Sequence, residues 1–86
     1  MYEAVQFIEV EGEAEPAQTI LGEFSNESPA VELVRAARSS FVESGADEYA
    51  WWVVRQKGAT LAEFIADSKS DKEFVLDIRS GQLVEV

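Results

Sequence analysis

The 86-residue chain contains no cysteine and no histidine. Without cysteine there is no disulfide, no thiolate nucleophile and no cysteine-based zinc site. Without histidine there is no imidazole base, so Ser-His and Cys-His catalytic arrangements are excluded. Any metal would have to be held by oxygens alone, which restricts the choice to ions such as Mg, Ca or Mn. Basic residues are scarce as well. The net charge is −10, and eight glutamates precede the first base, Arg35. A surface of that sign repels phosphate backbones, so DNA or RNA partners are not expected. No apolar run approaches the ~20 residues of a membrane helix. The first residues also lack the basic-then-apolar pattern of a secretory signal, and a cytoplasmic location is the default expectation.

The remaining composition is that of a folded globular chain, 47% hydrophobic and 10% aromatic. Its length suits one domain with one core. Tyr49-Ala50-Trp51-Trp52-Val53-Val54 is the most aromatic and β-branched stretch and reads as the central strand of a small sheet. Successive side chains on a strand point to opposite faces, so Trp51 and Trp52 cannot share one covering layer.

Only one good covering helix is visible, from Ser28 to Ser44. Ser28 suits the N-cap, Pro29 the first helical position and Gly45 the left-handed C-terminal position. Ala30, Leu33, Val34, Ala37 and Phe41 form its apolar stripe, with Val31 and Val42 at the edges and Phe41 as the expected anchor. Arg35 and Arg38 project from one side and are expected to pair with Glu32 or neighbouring acids in solvent.

Before the helix, Tyr2–Val10 and Ala17–Phe24 read as antiparallel strands. Between Phe7 and Ile8 the alternation slips, which requires either a bulge or cover on both faces. Gly22 marks a bulge or a close approach. The intervening Glu11–Pro16 loop, with Glu9 just before it, spaces its glutamates every second residue, as a solvated hairpin tip does.

Leu61–Asp67 matches both a capping box with helical spacing and a strand alternation. Its seven residues between two turn signals favour a strand. The expected fold is therefore α+β in the order β-β-α-β-β-β-β, with β-β-α-β-α-β-β as the alternative. For the final hairpin, a bulged turn at Gly81 that pairs Leu76 with Val84 is preferred over a Ser80-Gly81 turn that pairs Ile78 with Leu83. Asp77 is expected to pair with Arg55 or Arg79.

No glycine-rich phosphate loop, cofactor motif or ligand set accompanies this pattern. Glu63 and Asp77 are the carboxylates that stand alone on strands, and a carboxylate-dependent hydrolase using a Mg-type metal would have to use them. An outward-facing strand charge explains each more simply. The aromatic pair carries more weight. If Trp52 and Val54 face the helix, then Trp51 and Val53 lie opposite beside Tyr49, with Val75 and Leu83 as neighbours. Alternation alone does not fix which tryptophan this is. Exposed apolar patches of this kind mark contact surfaces, and Trp and Tyr are enriched in binding hot spots. The leading expectation is a non-enzymatic interaction module that self-associates, as a homodimer, or binds a protein through the helix-free face. The alternative is an antitoxin-like acidic decoy of a basic nucleic-acid-binding protein, acting through the Glu9–Glu15 side and the helix start. No cofactor is expected in either case.

Overall fold

The computed structural model describes residues 1–86 and has the expected α+β order, one helix on a six-stranded antiparallel sheet. The strands are β1 (Tyr2–Ile8), β2 (Ala17–Phe24), β3 (Ala50–Gln56), β4 (Ala62–Asp67), β5 (Glu73–Asp77) and β6 (Gln82–Glu85), and α1 spans Glu27–Glu43. Across the sheet they lie in the order β2-β1-β3-β4-β5-β6. Because β2 and β3 are both antiparallel to β1, they run parallel to each other on its two sides. A parallel pair needs a crossover, and α1 supplies it by passing over the sheet. The remaining strands follow as a meander. Leu61–Asp67 is resolved as strand, in agreement with its shortness.

The helix begins two residues earlier than its capping residues suggest. Asn26, with extended backbone, occupies the N-cap position and makes no side-chain cap bond. Ser28 and Pro29 fall inside the first turn, where the amide that proline lacks has no helical partner anyway. At the other end Gly45 takes the left-handed conformation, φ +74°, and its N–H is donated to the Val42 carbonyl. The apolar stripe faces the sheet as expected. Ala30 and Val34 are fully buried, and Val31, Leu33, Ala37 and Phe41 pack around them.

Beneath the stripe lie Ala4, Ala50, Trp52, Val54, Phe64 and Ala66. Phe41 meets Trp52 edge-on, with ring centroids 5.4 Å apart and an interplanar angle of 70°. The indole N–H of Trp52 is donated to Gln6 Oε1 at 2.9 Å, so a fully buried tryptophan leaves no donor unpaired. Small residues on both layers, Ala30 above and Ala4, Ala50 and Ala66 below, let the helix sit close to the sheet.

The slip in β1 resolves as cover on both faces. Its pairing with β3 runs unbroken through Phe7↔Trp51 and Ile8↔Ala50. A bulge does occur on the neighbouring strand, where Ala4 pairs with Gly22 and Val5 with Ile20, leaving Leu21 as the extra residue. That bulge moves Ile20 away from Gly22 and Phe24, with which simple alternation groups it. A Cβ on Gly22 would lie 3.2 Å from a Leu33 methyl and 3.1 Å from the Phe24 ring, so glycine here permits the close approach of the helix. A second bulge interrupts the β3–β4 pairing between Val54 and Arg55 and makes Glu63 the extra residue.

The final hairpin takes neither of the two expected registers. Asp77 pairs with Gln82, Leu76 with Leu83, Val75 with Val84 and Phe74 with Glu85, around a four-residue loop. Gly81 is left-handed, φ +72°, and its N–H bonds the Asp77 carbonyl. The extra loop residues let two leucines oppose each other.

Phe64 lies under the helix with 2% of its surface exposed. Truncating it removes a large share of a small core. Phe64→Ala is expected to cost about 3–5 kcal/mol, read as a lowered urea midpoint. A loss below about 1 kcal/mol would contradict the assigned core.

Candidate functional site

Alternation along β3, fixed by its two partners, settles the placement of the tryptophans. Trp52 and Val54 lie under α1, and Trp51, Val53 and Arg55 face the helix-free side. On that side the cross-strand register builds one apolar row over five strands, Ile20↔Val5↔Val53↔Ile65↔Phe74. Leu76 and Leu83 extend it toward the β6 edge.

Trp51 sits beside this row between two other rings. Phe7 stacks on it with centroids 5.2 Å apart and an interplanar angle of 11°, and Tyr49 lies 5.6 Å away at 33°. Each such pair contributes about 0.5–1.5 kcal/mol beyond its buried area. Surrounded by larger neighbours, Val5 and Val53 are 0% and 6% exposed with no layer above them. The helix-free face thus covers its own centre and leaves its margins open.

The ends of the face are polar. At one end Glu3 and Arg55 are opposed on β1 and β3 and joined at 3.2 Å, both largely buried. Glu63, at the adjoining bulge, has a buried Oε2 that accepts no hydrogen bond from the chain. At the other end the Tyr49 hydroxyl is donated to Asp67 Oδ2 at 3.1 Å. Burial, then the hydrogen bond to Asp67, then the negative charge of Asp67 and Glu9, raise the phenol above its ordinary value of about 10.

Several expected site residues are relocated. Val75 pairs with Phe64 and therefore lies on the helix side of the sheet, beyond the reach of α1, and not beside Trp51. Trp52 is core. Tyr49, Trp51 and Val53 do cluster, while Leu83 is on the same face but three strands from β3. Asp77 pairs with neither arginine side chain. Its Oδ1 accepts the Arg79 backbone N–H at 2.9 Å, and Arg55 is engaged by Glu3.

The helix arginines do more than pair in solvent. Arg35 makes a two-point contact with Glu73, at 2.9 and 2.8 Å, and lies over the Phe64 ring. Arg38 donates to the Asp67 and Ser70 carbonyls. The β4–β5 turn is thereby tied to the helix. A local sequence reading had no access to partners 29–38 residues away, and the only available sign was an arginine pair on one helix side.

The carboxylates assemble differently from the sequence expectation. Glu9 and Glu11 meet Asp47 and Glu48 around an open cleft of about 590 Å³ whose wall includes Tyr49. The helix start lies at the opposite end of the sheet, because β2 leads into it beside Tyr2. The acidic loop and the helix start therefore do not make one surface. No three acidic side chains converge in a metal-binding arrangement. Glu63 and Asp77 share no pocket. No helix is long and apolar enough to cross a membrane.

Against these features, comparison with protein-family models, with curated proteins and with solved structures finds no match for the chain.

Tyr49 supplies a test of the polar end of the face. Its phenol is raised in the folded state, so this contribution to stability is complete below about pH 10 and is lost as pH rises through the folded value. Ultraviolet titration should give Tyr49 an upward-shifted transition, and Asp67→Asn should move it back toward that of free tyrosine. Identical titrations of the two proteins would contradict the Tyr49–Asp67 contact.

Proposed function

We propose that this protein is a non-enzymatic interaction module whose helix-free sheet face binds protein, either a second copy or another chain. The observation that carries the reading is the apolar row from Ile20 to Phe74 with its Leu76–Leu83 extension, on a face that no element of the chain covers. A face meant only for solvent would alternate to polar residues on its outer side. Here the polar groups gather at its two ends, with Glu85 opposite Phe74 the exception on β6, and aromatic side chains, favoured at contact hot spots, stand beside the row.

The reading predicts that the intact protein binds an apolar dye such as ANS and gains mass with concentration in sedimentation. Leu76→Asp should reduce both while leaving the melting temperature within a few degrees. A wild-type protein that binds no dye and stays monomeric contradicts the reading. So does a Leu76→Asp variant that melts far lower with both properties unchanged, because the face would then be a second facet of the core.

A second reading is favoured by one feature, the meeting of Glu9, Glu11, Asp47 and Glu48 around one cleft. That end of the molecule would attract a basic protein, as an acidic decoy of a nucleic-acid-binding partner does, with Glu13 and Glu15 adding to the field. Binding of a model basic protein such as a histone should weaken steeply between low and physiological salt and should fall when Glu9 and Glu11 become Gln. Binding indifferent to both changes would remove this reading.

A further inference from the structure

We infer that two copies of this chain pair edge to edge through β6, antiparallel about a two-fold axis, to form one continuous twelve-stranded sheet. The inference rests on the interaction-module reading and names its occupant and its point of contact. The β5–β6 hairpin projects beyond the helix, which lies over β1–β4. It is apolar on both faces. Val75 and Val84 are 37% and 48% exposed on the helix side, and Leu83 is 44% exposed on the other. Ile78 and Val86, at its two ends, are 87% and 72% exposed. The exposed large hydrophobics of the molecule thus concentrate on one hairpin. The total surface, 5576 Å², exceeds by about a tenth the ~5,000 Å² expected for a monomer of this size.

The outer edge of β6 is also unpaired. It pairs with β5 alone, and its four residues include neither lysine nor proline, two of the devices that keep sheet edges apart. Hydrogen-bonded and non-bonded pairs alternate in an antiparallel ladder. The Val86 N–H is donated to the Glu73 carbonyl, so Val84 and Gln82 also face β5, and the amides and carbonyls of Leu83 and Glu85 point outward. These are the groups a second β6 would take.

Charge selects a second copy and this location. Of the net −10, residues 69–86 contribute only −1, from Lys69, Lys72 and Arg79 against Asp71, Glu73, Asp77 and Glu85. Two such molecules approach with least repulsion at this hairpin. Antiparallel pairing brings the turn of one hairpin, with Arg79, toward the tail of the other, with Glu85, and repeats the contact by symmetry. A contact of one short strand lies at the small end of specific interfaces, where association is weak.

The test uses the full chain. At about 0.5 mM sedimentation should give a dimer, and NMR should show the Leu83 and Glu85 amides exchanging about threefold more slowly than at about 20 µM. Neither amide has a partner within the chain, so protection reports the second copy directly. Glu85→Pro removes one outward donor without touching the β5 ladder and should return the protein to monomer, whereas Ile20→Asp, at the far side of the helix-free face, should not. A monomer at the higher concentration overturns the inference, as does a dimer whose two amides exchange freely. A dimer abolished by Ile20→Asp and indifferent to Glu85→Pro also overturns it, while leaving the helix-free face as the contact surface. If the dimer behaves as expected but the face binds no dye, edge pairing stands and the reading of the face falls.

Discussion

Everything in this fold depends on the alternation of side chains along β3. Adjacent tryptophans on a strand require two apolar environments, and the chain supplies one helix. Trp52 takes the place under α1, where Phe41 closes over it and Gln6 accepts its indole proton. Trp51 is left to the other side. There it is held between Phe7 and Tyr49, at the border of an apolar row that crosses five strands. The helix-covered side is a core of contiguous buried residues. The other side is covered at its centre only by its own side chains.

The two bulges serve this arrangement. One extra residue at Leu21 keeps Gly22 and Phe24 on the helix side while turning Ile20 to the helix-free row. Another at Glu63 sits beside the buried Glu3–Arg55 pair. Bulges bend the strand and raise its local twist. With Val5 and Val53 buried at the centre of the face, the surface available for contact lies at the margins, on Ile20, Leu76 and Leu83 and along the edge of β6.

Much of this was legible in the residues. The order of elements along the chain, the single helix and its stripe follow from periods of two and 3.6, and the brevity of Leu61–Asp67 correctly separated strand from helix. The separation of Trp51 from Trp52 was equally visible, although deciding which one met the helix required the pairing of β3 with β1 and β4. The remaining differences have separate causes. Val75 was placed on the wrong face because the side of β5 is set by its pairing with β4, where Val75 opposes Phe64, and a one-residue change of register reverses every side chain of a strand. The helix start at Asn26 was missed because Ser28-Pro29 carries the stronger local capping signal. The contacts of Arg35 with Glu73 and of Arg55 with Glu3 join residues far apart in the chain, and no local pattern contains them.

The central claim is that the two tryptophans have unlike environments, one sealed and one at the margin of a contact face. Fluorine NMR of the protein labelled with 5-fluorotryptophan measures this directly, with Trp51→Phe to assign the two resonances. The Trp52 signal should show no solvent-isotope shift at any concentration. The Trp51 signal should show a partial shift in dilute solution. Two signals that are equally insensitive to solvent, or a Trp52 signal that is the more sensitive, would contradict the account.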